Sequence, residues 1–202
     1  MKMSILDRIL LLIATLLAAY QVAVGIDGLS TVPTIAYSIA FGVILVAGLL
    51  LIIFGLEVLD SPIVAIVSSL IPLSLATGLV WHHLPFFKVQ YLVFAILWLL
   101  IIVITRVLHA SNKLSLFVLI VVHGIAGLTI FLLPVILVLT GRALPRYLFV
   151  SAGGALIGLN GVLLALLNAG KPLLSHESIF RVLPGLLLLM TATLVAGFAL
   201  ST

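Results

Sequence analysis

The stretch LSLFVLIVVHGIAGLTIFLLPVILVL, Leu114 to Leu139, carries no formal charge and a single histidine, His123. Its length of about 26 residues is more than a helix needs to cross the hydrocarbon core of a bilayer, so it predicts a membrane-spanning helix with some tilt. Composition extends that reading to the whole chain: 65% of residues are hydrophobic, 7% are charged, and the mean hydropathy is +1.54. A soluble domain needs far more charge to cover its surface. The 202 residues therefore predict an all-α polytopic membrane protein, one helical bundle with no separate soluble domain.

Six further apolar segments flank the first. The expected spans are residues 5–26, 35–56, 62–81, 89–108, 114–139, 147–168 and 182–200, giving seven transmembrane helices in one domain covering 1–202. Lys2 and Arg8 before the first run have the look of a signal peptide, but Asp7 interrupts the basic region and favours a retained span. Pro62 directly after Asp60-Ser61 is placed as the first helical residue behind a capping side chain, which makes spans two and three a tight hairpin.

An odd number of spans puts the termini on opposite faces. One face collects Lys2, Arg8, Arg106, Lys113, Lys171 and Arg181, and the other only Lys88, Arg142 and Arg146. The richer face is expected inside, with the amino terminus, and the carboxyl terminus outside. The expected location is a prokaryotic-type plasma (inner) membrane. Tyr20, Tyr37, Tyr91, Tyr147 and Trp81 all fall toward the outer ends of their spans, where an aromatic belt at the headgroups is expected. The basic residues, scattered over short loops, read as topology determinants, and no nucleic acid partner is expected. Absence of cysteine excludes disulfides, thiolate metal sites and a cysteine nucleophile.

Spans three, five and seven each carry a proline, in LIPLSLATG, LLPVILVLTG and VLPGLLLL, at Pro72, Pro134 and Pro184. If spans one to three repeat as five to seven, span four is a linker, and parallel repeats of this kind occur among transporters. The layout resembles that of sugar transporters and PQ-loop proteins but lacks their Pro-Gln dipeptide, so no family is assigned.

Span six holds a packing code. Ser151, Gly154, Gly158, Gly161 and Ala165 recur every three or four residues and line one helix face, where small side chains let another helix approach closely. That partner is a helix of the same chain, a second copy, or another membrane subunit. The same segment, SAGGALIGLNG, is similar to the serine-centred, glycine-rich helix of rhomboid proteases. No later histidine in an apolar context matches their AH-x-x-G motif, which leaves Ser151 without an activating base.

His123 stands roughly 14 Å from the inner start of its span at the usual helical rise. Thr15, Ser68, Ser69, Asn160, Thr191 and Thr193 fall at similar depth in other spans, so a polar layer is expected there. An ionisable side chain at that depth is a functional candidate. Three roles fit it: a structural hydrogen bond, a ligand or contact for haem, chlorin or quinone, or part of a proton or solute path. Bis-histidine haem ligation needs a second imidazole facing the first at the same depth, whereas His82 and His83 fall at an outer end and His109 and His176 in inner loops. The remaining polar groups form loose loop clusters, Asp27, His82, His83, Lys88, Arg142 and Arg146 outside and Glu57, Asp60, His109, His176 and Glu177 inside, with no metal-site or catalytic spacing.

Short loops, the glycine face and the lack of a charged pathway point to a small non-catalytic membrane subunit within a larger assembly, an energy-transducing one among the expected kinds, that holds lipid, quinone or pigment. Seven spans, the repeat and the polar layer point to the alternative, a transporter or channel for a small neutral or weakly polar solute. Catalysis centred on His123 ranks below both.

Overall fold

The computed structural model describes residues 3–108, 112–168 and 175–199. Its α-helices are α1 (Ile5–Val24), α2 (Thr31–Phe54), α3 (Pro62–His83), α4 (Lys88–Val107), α5 (Asn112–Leu139), α6 (Leu148–Asn168) and α7 (His176–Ala199), with short 3-10 turns at Leu56–Asp60 and Pro145–Tyr147. Helices alone are expected in lipid, because each backbone N–H and C=O must find its partner inside its own segment. Among the described residues six of them, α1 to α5 and α7, are long and apolar enough to cross a bilayer, and the chain is a multi-pass helical membrane protein.

Local chemistry sets several helix ends. Asp7 closes a capping box with Ser4, each side chain bonding the other residue's backbone N–H, at 2.9 and 3.1 Å. Such a cap contributes about 1 kcal/mol and anchors the start of α1. Gly25, Gly55 and Gly141 take positive φ just beyond the ends of α1, α2 and α5, a conformation that costs glycine little. Pro62 does open α3 behind Ser61, but Ser61 makes no side-chain capping bond, so the proline and not a cap defines this start. α7 begins at His176, well before the expected Val182. Its charged opening is stabilised by an exposed pair one turn apart, Arg181 Nη2 donating to Glu177 Oε1 at 3.0 Å.

Six helices form a closed ring in the order α1, α2, α3, α5, α6, α7, each packed against the next and α7 against α1. α4 lies outside, against α3 and α5. Exchanging α1 with α5, α2 with α6 and α3 with α7 maps the ring contacts onto themselves, the arrangement that a repeat of three helices joined by a linker helix would give.

Glycines set the tight crossings. A side chain on Gly48 of α2 would strike the Thr15 hydroxyl of α1, and one on Gly78 of α3 would lie 2.6 Å from the Tyr37 ring of α2. On α6, Gly154 opposes Ile130 of α5, Gly158 has its Cα nearest Gly127, and Gly161 opposes His123. The other side of α6 meets α7, Gly153 against Leu194 and Val150 against Gly197. Gly154 also touches the Ile130 backbone, the peptide whose carbonyl loses its ordinary donor at Pro134. The small-residue stripe of α6 is therefore filled by α5 at Gly154 and Gly161. The side chain of Ala165 lies outside the described residues.

Gly197 allows a direct test of this packing. A Cβ there would sit 2.7 Å from the Val150 backbone nitrogen, which no side-chain rotation relieves, whereas Gly158 has open space. Gly197→Ala should lower the unfolding temperature in detergent by several degrees, equivalent to about 1–3 kcal/mol of overpacking, and Gly158→Ala should not.

Candidate functional site

The buried apolar side chains form three clusters, two within the ring and one between the ring and α4. The largest fills the half nearest the start of α2 and the end of α7, with Ala40, Phe41, Leu75, Leu79, Ala126, Ile130, Val150 and Leu194 among its buried members. At the opposite end Leu11, Leu51, Leu56, Ile179, Phe180 and Leu183 pack α1, α2 and α7 together. The third, Leu73, Ala95, Ile102, Val118, Leu119 and Val122, lies between α3, α4 and α5.

Aromatic side chains close the first end. Phe198, in the last turn of α7, packs on Tyr37 of α2 with ring centroids 4.7 Å apart and on Phe41 at 6.1 Å. Tyr147, just before α6, packs on His83 at the end of α3 at 5.5 Å, and its hydroxyl is 3.0 Å from His83 Nε2. These two contacts are counterparts under the exchange of halves, α2 with α7 and α6 with α3. A third contact, Tyr147 with Phe198 at 6.4 Å, joins them. The Tyr147 phenol is a hydroxyl able to donate to the imidazole.

Tyr37 and Tyr147 are each only 5% exposed. They were expected as headgroup anchors and instead form the core of this closure, because each stands beside a helix end that faces the ring axis. Tyr20 is exposed, and Trp81 sits at the same end beneath Lys88, whose Nζ lies 5.6 Å from the ring centroid.

Of the residues expected in a polar layer, Thr15, Ser69, Asn160 and Thr191 are buried, and most of the hydroxyls are spent locally. Thr15 donates to the Leu11 carbonyl at 2.7 Å and Thr191 to that of Leu187 at 2.8 Å, while Thr193 donates to Leu189 and Met190. Ser69 is fully buried, Ser68 half-buried. His123 is half-buried, and its Nδ1 lies 3.0 Å from the carbonyl of Leu119, one turn back on its own helix, so the proton on Nδ1 is donated there. Its ring edge rests on Gly161. The α1–α2 and α5–α6 crossings thus repeat one device: Thr15 bonds Leu11 and abuts Gly48, and His123 bonds Leu119 and abuts Gly161.

Asn160 differs from every other member of the layer. It is 7% exposed, and neither its Oδ1 nor its Nδ2 has a hydrogen-bond partner. Ser151, on the other side of the same helix, also keeps a buried hydroxyl without a partner.

For haem or chlorin on His123, a second axial imidazole would have to face it. The fully described histidines His82 and His83 pack edge to face on each other at the far end of α3, and His109 and the side chain of His176 lie outside the described residues. Among the described residues no group of three or more histidine or acidic side chains is placed to hold a metal ion. Comparison with protein-family models, curated proteins and solved structures gives no match to the chain.

Since the hydrogen bond of His123 is made within α5, it adds little to helix association. His123→Leu should change the unfolding free energy by less than about 1 kcal/mol, the scale of one such bond. A larger loss would show that the imidazole holds something beyond its own helix.

Proposed function

We propose that the chain is a carrier for a small neutral or weakly polar solute, with seven spans, the amino terminus inside and the aromatic closure at the outer face of a prokaryotic-type plasma membrane. The observation that supports this most is the paired closure: Tyr37 with Phe198 and Tyr147 with His83, equivalent contacts from the two halves of one ring. In carriers built from repeats, the two halves move against each other around a site near the membrane midplane. Here the closure would act as an outer gate, and the layer containing Asn160 and His123 lies below it.

Two features favour a carrier over an open pore and over ion-coupled transport. The largest apolar cluster fills the ring interior behind the aromatic rings. The middle of each expected span carries no acidic, lysine or arginine side chain, and the one histidine there, His123, is hydrogen-bonded to its own helix at Leu119. The buried prolines Pro72 in α3 and Pro184 in α7 each remove one backbone bond from a ring helix, and such points bend more readily than an unbroken ladder.

The alternative of a non-catalytic subunit holding lipid, quinone or pigment draws on the same short loops. It loses part of its support because α5 already occupies the small-residue face of α6 at Gly154 and Gly161.

Vesicles containing the purified protein should shrink and reswell under an osmotic gradient of glycerol, urea or acetamide several-fold faster than protein-free vesicles. Tyr147→Ala, which removes both the Phe198 and His83 contacts, should raise the rate of leak. Equal rates with and without protein, together with a membrane partner that co-purifies at fixed stoichiometry, would favour the subunit.

A further inference from the structure

Asn160 sits where the packing of the ring changes. It lies one turn beyond Ile157, a buried α6 member of the large apolar cluster, and two turns from Gly153 on the same helix face. That face meets α7: Gly153 opposes Leu194 and Thr193, and Val150 opposes Gly197. Continuing this antiparallel register places Asn160 level with Leu187, in the turn that follows Pro184.

A carboxamide buried without partners is expensive anywhere in a protein interior, and more so where no bulk water is at hand. Natural structures leave few such groups, and each calls for a reason. Packing supplies none here. A leucine would fill the same place between α6 and α7 at no polar cost, and Leu156 and Leu163 on the same helix show that leucine suits this span. A partner that comes and goes would supply the reason.

We infer that Asn160 is the solute-binding residue, and that the solute is a small uncharged molecule presenting a hydrogen-bond donor and an acceptor side by side, of the amide or urea type. The inference rests on the carrier reading above. A carboxamide offers N–H and C=O along one edge, and a second amide satisfies both at once in a paired arrangement. A hydroxyl carries its donor and acceptor on one atom and bridges the same edge only with bent, weaker bonds, whereas an amide meets both in line. An ion finds no opposite charge among the mid-span residues, so a charged solute would enter uncompensated. Binding the solute would remove the penalty of the buried amide, and its release would restore it, so the unpaired group adds to the drive for binding.

The test compares wild type with Asn160→Leu in vesicles, following entry of urea, acetamide and glycerol, and pairs this with unfolding temperatures in detergent. Asn160→Leu is expected to slow urea and acetamide by about tenfold or more, the scale on which a site built to hydrogen-bond its substrate responds to losing that bond. Its unfolding temperature should stay level or rise, because an unsatisfied buried amide has been removed. A merely structural asparagine would give the opposite stability result, a clear drop. Acetamide should raise the unfolding temperature of wild type and leave that of the variant unchanged. Should Asn160→Leu fail to fold, Asn160→Ala, which adds no volume, is read in the same way.

Undiminished urea and acetamide entry in the variant would overturn the assignment of Asn160. Faster entry of glycerol than of either amide in wild type would overturn the amide class while leaving a carrier in place. If wild type passes none of the three faster than bare vesicles, the carrier reading itself falls, and the inference with it.

Discussion

The contact between Tyr147 and Phe198 is where the two halves of the chain meet at the closed end of the ring. Each residue also holds a helix end from across the ring, Tyr147 that of α3 through His83 and Phe198 that of α2 through Tyr37. Aromatic pairs of this kind contribute about 0.5–1.5 kcal/mol each beyond the area they bury. That is enough to favour this packing and small beside the stability of the whole bundle. Elsewhere, helix contacts depend on glycine crossings, where close approach and van der Waals attraction replace the hydrophobic drive that lipid does not supply.

The same crossings explain why α4 stands apart. For α3 and α5 to lie side by side and parallel, the chain must cross the membrane once more between them, and α4 makes that crossing. It contacts the ring through Ala95 and Ile102 and turns residues such as Val93, Ile96, Leu97, Leu100 and Ile104 outward, where lipid is the natural solvent. With α4 removed from consideration, the two groups of three helices are equivalent in their contacts. Equivalent halves are what a protein needs if closing one end and opening the other are to be alternative arrangements of one framework.

Much of this architecture was legible in the apolar runs, because a span needs length and hydrophobicity, both local properties. Most helix ends fall within a few residues of expectation. α7 is the exception, since charges at Glu177 and Arg181 read as loop until their pairing one turn apart is seen. Two features were not legible. Tyr37 and Tyr147 occupy helix ends, where a headgroup anchor and a core aromatic have the same sequence signature, and only the ring closure makes them core. Asn160 was recognisable by depth, but so were Thr15 and Thr191. What separates them is that a threonine hydroxyl can return to the carbonyl one turn back, whereas the Asn160 carboxamide does not.

The most direct measurement is the distance between the ends of α3 and α7, the equivalent helix ends that carry His83 and Phe198. The chain contains no cysteine, so spin labels can be placed at His82→Cys and Ala199→Cys without other changes. A ring that opens at its aromatic end gives two distance populations in membranes by double electron–electron resonance, with the longer one enriched by Tyr147→Ala and the ratio shifted by acetamide. A single narrow distance, the same with Tyr147→Ala and with solute, would contradict a moving closure and leave a rigid helical bundle in its place.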